Sequence, residues 1–316
     1  MKILITGVHG FVGSNLVTYL AKENEIYGLD IINPEKKGVV KTYSWDDFGG
    51  GYMPDIDAII HLAGKAHDTK NRTVADVYFK VNRDLTIKIF DNFCSHKEIK
   101  KFVFFSTAKA AADKVDGVLT EDVVPAPIGP YGESKIAAEQ YILNIMKNRP
   151  LEFEEKSVYI FRPCMIHGPG NKGNLNLLYN VVKKGFPWPL GAFDNRRTFT
   201  SIENMCFAVN GVLTKDVPSG IYNMGDDEAL STNELIEEIC KSLGKKAHIW
   251  NLPKGLINKV AKIGDVLHLP LNSERLRKLT ENYISSNAKI KQVLGIEKMP
   301  VDAHIGLQTT LQSYKS

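Results

Sequence analysis

Cysteine is scarce. Four residues in 316, Cys94, Cys164, Cys206 and Cys240, stand far apart and show no metal-ligand spacing, so no metal site is expected. Free thiols in a reducing cytoplasm are the simplest account of them. Long apolar runs are missing too: none reaches the roughly 20 residues that a membrane helix needs. No signal-peptide pattern precedes the first strand-like run, so the expected location is cytoplasmic, with no integral membrane segment. Charge of one sign is not in excess, with 40 Lys and Arg against 36 Asp and Glu. No basic block marks a nucleic-acid face, which argues against nucleic acid as a partner. Lys97-Glu98-Ile99-Lys100-Lys101 reads as a solvated helix end. Internal repeats and low-complexity segments are absent. What remains is a chain with ample length for a sizeable core, as one large domain or two lobes.

The chain opens with a short apolar run, Ile3-Leu4-Ile5, that reads as a buried strand. Gly7-x-x-Gly10-x-x-Gly13 follows, and then a helical pattern through Leu16, Leu20 and Ala21. Glycines between a strand and a helix allow a tight turn and close approach to a pyrophosphate, which the helix N-terminus then attracts. The spacing differs from the usual Gly-x-Gly-x-x-Gly, and a glycine triplet alone is also what an ordinary turn contains. The strand before it and the helix after it point to a dinucleotide site. Glu25–Asp30 reads as a second strand ending in an acid, 17 positions after Gly13. Asp30 there can accept hydrogen bonds from a ribose diol and repel a 2′-phosphate, favouring NAD over NADP. Lys36 and Lys37 follow closely and would soften that preference; the plainer alternative for Asp30 is a solvated strand end.

Pro130-Tyr131-Gly132-Glu133-Ser134-Lys135 contains Tyr-x-x-x-Lys. On a helix, i and i+4 share a face. A phenol with a pKa near 10 is a poor base at neutral pH, and a neighbouring ammonium favours its phenolate. Such a pair can move a proton on or off an alcohol hydroxyl. A surface helix that carries Tyr and Lys by chance is the competing account. Pro130 marks a helix entry.

Strands and helices alternate from residue 1 to about 163. Further strands are expected at 57–64, 102–107 and 157–163, and helices at 73–95 and 131–148. This alternation implies an α/β fold with a doubly wound parallel sheet and ligands at the carboxyl ends of the strands. Gly7, Asp30, Ala63, Thr107 and Arg162 all fall there. From Cys164 the texture changes. A turn-rich loop at 168–174 is followed by a helix at 175–184, a short strand at 198–201, a helix at 202–213 and a strand at 220–224. Ser231 and Glu234 are spaced as a capping box. The stretch 252–269 is moderately amphipathic and reads as a packing helix of a small second lobe, with contact to a membrane as the alternative.

Together these residues resemble the extended short-chain dehydrogenase/reductases, in particular nucleotide-sugar epimerases and 4-keto-sugar reductases of bacterial surface-polysaccharide pathways. The resemblance rests on Gly7-Gly10-Gly13, Asp30, His61-Leu62-Ala63-Gly64, Val81-Asn82, Phe105-Ser106-Thr107, Tyr131 to Glu139, and Arg162-Pro163 leading to His167-Gly168-Pro169-Gly170. It implies a Rossmann NAD-binding domain over 1–163 plus about 202–224, with a smaller nucleotide-sugar-binding lobe over 164–201 and 225–316.

Residue roles follow from the same resemblance. Tyr131 would be the acid/base, and Lys135 would bind the nicotinamide ribose and depress the Tyr131 pKa. Thr107 would orient the reacting oxygen. Leu62, Ala63 and Gly64 would flank the cofactor, with Phe11, Val12 and Asn82 supporting it. Asn174 and Leu175 resemble uridine-diphosphate contacts, and Arg197 the diphosphate-binding arginine, an Arg fork being suited to phosphates. Tyr283 falls near the position where related hexose epimerases exclude an N-acetyl group by bulk, in conflict with the likeness to N-acetyl-sugar enzymes. The resemblance also implies a homodimer paired through the helices from Thr73 and Tyr131. Ile136, Tyr141, Ile142 and Ile145 offer apolar surface for it, although burial within one chain would explain them equally.

One departure narrows the chemistry. Sugar 4,6-dehydratases of the family carry an acidic pair after the Ser/Thr, and here Ala108 and Lys109 stand instead. The expectation is therefore a 4-epimerase of a UDP-linked hexose or N-acetylhexosamine, working by transient C4 oxidation. The alternatives are an NAD(P)H-dependent reductase of a UDP-4-keto-6-deoxy sugar, an epimerase of a polyisoprenyl-diphosphate-linked sugar, and a dinucleotide sensor without catalysis. The motifs of epimerase and reductase are the same; an Asp30 preference for NAD suits a retained, recycled cofactor and tips the balance toward the epimerase.

Overall fold

Each apolar run becomes a strand where both of its faces can be covered. The computed structural model describes residues 1–51, 54–66, 74–267 and 272–315. The first half runs β1 (Lys2–Thr6), α1 (Phe11–Leu20), β2 (Glu25–Leu29), β3 (Lys41–Tyr43), α2 (Trp45–Gly49), β4 (Ala58–His61), α3 (Ala75–Tyr78), α4 (Leu85–Ser95), β5 (Lys101–Phe105), α5 (Ala108–Ala111), β6 (Val118–Leu119), α6 (Pro130–Asn148) and β7 (Ser157–Pro163). Then come β8 (Met165–His167), α7 (Asn174–Lys183), β9 (Arg197–Ser201), α8 (Ile202–Thr214), β10 (Gly220–Met224), β11 (Ala229–Leu230) and α9 (Thr232–Ser242). The chain continues through α10 (Lys254–Leu267), α11 (Ser273–Thr280), β12 (Ile284–Ser285), α12 (Ala288–Leu294) and α13 (Ala303–Ser313). Thr73, the expected start of a helix, and Leu269, the expected end of another, lie outside the described residues.

Seven strands form one parallel sheet in the order β10-β7-β5-β4-β1-β2-β3. This is the expected doubly wound α/β architecture. The winding direction reverses between β1 and β4, which opens a crevice at their carboxyl ends. Alternate residues of a strand point to opposite faces. Ile3 and Ile5 accordingly pack with Val17, Met205 and Val209 of α1 and α8, while Leu4 packs with Phe90, Phe93 and Ile142 of α4 and α6. Helices on both faces explain why these strands read as unbroken apolar runs.

A three-stranded sheet, β11-β9-β8, lies outside the main one. Leu175, Tyr179, Leu235, Ile239, Leu307 and Leu311 share its core. The expected capping box opens α9, with the Ser231 side chain accepting from the Glu234 N–H and Glu234 accepting from the Ser231 N–H. Within the expected 225–316 part of the lobe, α12 departs: Ile290 and Leu294 join the core beneath the seven-stranded sheet.

One other expectation is corrected and two readings are refined. Lys97–Lys101 is not a helix end: α4 stops at Ser95, and Lys101 opens β5 with its ammonium donating to the Val212 and Lys215 carbonyls at 2.8 and 3.0 Å. Ile136 and Ile142 are buried, Ile142 in the core under the sheet, so they offer no free apolar face for pairing two chains. Helix α10 packs through a narrow face only. Ile257, Ala261 and Gly264 are buried, whereas Leu256, Val260, Ile263, Val266 and Leu267 are between 41 and 76 % exposed.

Candidate active site

The glycine loop leaves β1 with Gly7 at φ 71°, a left-handed backbone that favours glycine. A Cβ on Gly7 would stand 3.1 Å from the Ala63 nitrogen, and one on Gly13 would strike the Gly7 carbonyl. Loop, helix and the end of β4 are therefore packed backbone to backbone. Helix α1 begins after Gly10 with no side chain capping it. Its first-turn N–H groups, those of Phe11 and Val12 included, are placed to receive an anion.

Asp30 follows β2 directly. Its carboxylate accepts the His9 N–H at 2.9 Å and the Ile31 N–H at 2.7 Å. These bonds fix it beside the glycine loop, with further lone pairs to offer a diol. Lys36 donates to Ser14 Oγ at 2.7 Å in the first turn of α1 and is close enough to Asp30 to feel its charge. The loop, the uncapped helix and the anchored carboxylate fit NAD.

At the end of β4 a buried chain of side chains sets the next backbone segment. Thr6 Oγ1 accepts the Leu62 and Ala63 N–H groups at 3.1 and 3.0 Å. Its hydroxyl proton is then left for His61 Nδ1 at 2.7 Å, and His61 Nε2–H donates to Thr86 Oγ1 at 3.0 Å, which donates on to the Asn82 carbonyl. Burial, with the charge of Lys135 behind it, lowers the His61 pKa to about 3 and keeps the ring neutral.

Asn82 sits in a widened π-helical turn, Phe79–Asp84, between α3 and α4. Its Oδ1 accepts the Lys65 N–H at 2.7 Å, and its Nδ2 donates to the Lys65 carbonyl and to Ser134 Oγ, both at 3.0 Å. Asn82 thus ties the loop carrying Leu62, Ala63 and Gly64 to α6, the helix of Tyr131 and Lys135.

Helix α6 starts with Pro130 after Gly129, whose φ is 87°. Tyr131 is partly buried and meets the Tyr78 ring edge-on, with centroids 6.4 Å apart. The Thr107 hydroxyl lies near enough to its phenol oxygen to favour the phenolate. Thr107 also accepts the Lys109 N–H as the N-cap of α5. The catalytic candidates Thr107 and Tyr131 are therefore neighbours. Lys135 is one turn on and buried, its ammonium donating to the Phe105 carbonyl at 2.7 Å. A Cβ on Gly64 would meet that ammonium at 3.1 Å.

The Tyr131 phenol lies above its ordinary pKa, against the expected depression: burial raises it, the Thr107 hydroxyl pulls it back, and the nearby Tyr78 raises it again. The lysine is itself desolvated: burial lowers its pKa to about 8, with Glu139 opposing the shift.

Two partners gave no role in the sequence. Glu139 and Arg162 are fully buried and bridged by Arg162 Nε bonds of 3.0 and 3.1 Å, and the Ser106 hydroxyl donates to the same carboxylate. This pair fastens α6 to β7 and to the residue before Thr107. Its only sequence trace is two charged residues inside apolar stretches.

The substrate candidates are more dispersed. Asn174 is exposed at the first position of α7. The Leu175 side chain lies in the core of the smaller lobe, so only its backbone remains for a ligand. Arg197 opens β9, donates to the Lys278 carbonyl, and lies near enough to Cys164 and Tyr283 to favour their ionised forms. Arg196 is a surface charge paired with Glu234 at 2.9 Å. Tyr283 is buried, and its hydroxyl donates to the Ala112 carbonyl at 2.9 Å. Among the described residues, no group of three or more His, Cys, Asp or Glu side chains is placed to hold a metal ion.

Comparison with known proteins agrees with this geometry. Residues 3–225 match the model of the "NAD dependent epimerase/dehydratase family". A UDP-glucose 4-epimerase of Vibrio cholerae is 30 % identical over 270 residues, covering 80 % of this chain and 78 % of its own length. The N-acetyl-alpha-D-glucosaminyl-diphospho-ditrans,octacis-undecaprenol 4-epimerase of Escherichia coli O157:H7 is 27 % identical over 260 residues, covering 80 % and 75 %. Among solved structures, MoeE5 in complex with UDP-glucose and NAD superposes over all of this chain and 99 % of its own, with a TM-score of 0.78 and 21 % identity.

Proposed function

The chain belongs to the NAD dependent epimerase/dehydratase family, and from this premise we propose that it is a nucleotide-sugar 4-epimerase. Its enzyme class is that of the NAD-dependent extended short-chain dehydrogenase/reductases acting on nucleotide sugars; the reaction and the sugar are the proposal. One observation carries it: Thr107 and Tyr131 are neighbours, near enough for the Thr107 hydroxyl to favour the phenolate, at the carboxyl edge of the sheet, where the glycine loop and Asp30 also lie. Bound NAD supplies the hydride acceptor and a fixed positive charge. Tyr131 accepts the proton of the sugar 4-hydroxyl, and Thr107 holds the same oxygen. Lys135, anchored on the Phe105 carbonyl, orients the ribose beside Gly64. The 4-keto sugar then turns over within the site and takes its hydrogen back on the other face, with Tyr131 returning the proton.

Ala108 and Lys109 support this reading over dehydration. No acid stands in those positions, and the Lys109 ammonium is held by Asp113 at 2.6 Å. Arg197, with Asn174 and the Leu175 backbone, would hold the UDP diphosphate and base, leaving the sugar free to turn. A second reading keeps the chemistry and moves the sugar onto a polyisoprenyl diphosphate. The Escherichia coli relative and the outward apolar face of α10 favour it.

The test is to incubate the purified protein with UDP-glucose, UDP-N-acetylglucosamine and a UDP-4-keto-6-deoxy sugar with NADH, and to resolve the products by chromatography. An epimer formed without NADH loss is expected; NADH consumed in step with product would establish the reductase instead. Tyr131→Phe should lower turnover by about 10²–10⁴-fold while NAD binding persists, the range that positioned acid–base groups contribute. Full turnover in that variant would remove Tyr131 from the mechanism.

A further inference from the structure

Helix α10 has two apolar faces, and the described residues cover one. Its inner strip, Ile257, Ala261 and Gly264, rests on the smaller lobe, with Ile257 and Ala261 in a cluster with Leu190 and Leu276. Leu256, Val260, Ile263 and Leu267 recur every three to four residues and fall within about 60° of arc at 100° per residue. All four point to solvent, and Val266 lies beside them. Scattered exposed leucines need no explanation, but an aligned row on one helix does.

Charge identifies the occupant. From Lys245 to Leu267 the chain carries five lysines and a single acid, Asp265. Asp265 is turned toward the next helix, accepting the Ser273 N–H at 2.9 Å and the Ser273 hydroxyl at 2.5 Å. Lys259 and Lys262 stand on the outward flank of the apolar row. An apolar stripe bordered by lysines, on a helix not long and apolar enough to cross a bilayer, is the pattern of a helix lying in a lipid interface. We infer that α10 docks the smaller lobe onto an anionic membrane surface, the stripe entering the headgroup boundary and the lysines meeting anionic lipid. Arg197 reaches the Lys278 carbonyl of α11, which packs against α10, so docking would hold the diphosphate arginine close to the lipid. The inference concerns binding and stands apart from the proposed reaction.

The experiment is vesicle sedimentation of the full chain. Wild-type protein should pellet with phosphatidylcholine vesicles containing about a third phosphatidylglycerol, and far less with phosphatidylcholine alone. Lys259→Glu and Lys262→Glu should each weaken binding roughly fivefold, and more at low salt. Leu256→Ser with Ile263→Ser should lower the bound fraction at least tenfold. These side chains are exposed, so an unchanged melting temperature and unchanged sugar-nucleotide turnover would show that the fold is intact. Equal pelleting of wild type and both variant sets, or no pelleting of the wild type, would overturn the proposal. So would a lipid-free dimer, seen by sedimentation velocity, that dissociates in the Leu256/Ile263 variant, because the stripe would then join two copies of the chain.

Discussion

At the scale of single residues, Lys135 gives the most direct test of the electrostatics. Its pKa in the fold is about 8, against 10.5 for an ordinary lysine. Below pH 8 the lysine is protonated in both the folded and the unfolded chain. Between 8 and 10.5 the unfolded chain holds a proton that the folded chain has released, so this group makes stability rise with pH. Chemical denaturation of wild type and Lys135→Met from pH 7 to 10.5 should show the wild type gaining on the variant across that window; a constant difference would place Lys135 in a solvated setting. Activity should run the other way, with kcat/KM falling above about pH 8 as the ammonium is lost. Asp30 offers a second test. Its two accepted N–H bonds fix a carboxylate beside the glycine loop; on the proposal that it faces the adenosine ribose, Asp30→Ala should narrow the NAD-over-NADP ratio of KM values, with Lys36 nearby to receive the phosphate. An unchanged ratio would mean that Asp30 only orders the loop.

At the scale of elements, α5 and α6 are in unusually close contact. A Cβ on Gly132 would lie 2.6 Å from the Lys109 carbonyl and 2.9 Å from Pro127 Cβ. Gly132→Ala must push the two helices apart, and Thr107 and Tyr131 ride on them. A displacement near 1 Å costs on the order of 10²-fold in rate. Turnover should therefore collapse while circular dichroism shows the helices retained; an alanine variant with wild-type kcat would show that the contact is soft.

The elements were legible to the degree that periodicity controlled them. Ser157–Pro163 was legible because a strand buried on both faces leaves a largely apolar run. Lys41–Tyr43 left none, being a three-residue edge strand with one covered face. The places of the glycine loop, Asp30, Thr107 and Tyr131 were legible because each is set by local sequence at a strand end or a helix start. The Thr6–His61–Thr86 chain and the Glu139–Arg162 pair were not, because they join residues up to 55 positions apart and only tertiary packing reveals them. For α10 the amphipathic pattern was read correctly, but a pattern does not say which face turns inward. Ala261 and Gly264 decide that here, since small residues permit the close seat.

At the scale of the whole molecule, ligand binding and folding are coupled. NAD that binds only the folded chain should add about 2.7 kcal/mol of stability at a hundred times its Kd. Differential scanning fluorimetry should show a rise in melting temperature with NAD and a smaller one with NADP. Equal shifts, or none, would count against the dinucleotide site proposed at the glycine loop.

The placement of α12 bears on the order in which the protein is made. The core under the seven-stranded sheet is finished by Ile290, Leu294 and Met299, well beyond residue 225, where the family match ends. On a ribosome, every strand of that sheet emerges before the helix that closes its lower face. The larger domain must therefore wait, with apolar surface open, until synthesis has passed residue 299. A fragment ending at residue 225 carries the whole sheet and most of the candidate site, yet it should behave as a nascent chain does at that moment, sticky and short of its final packing.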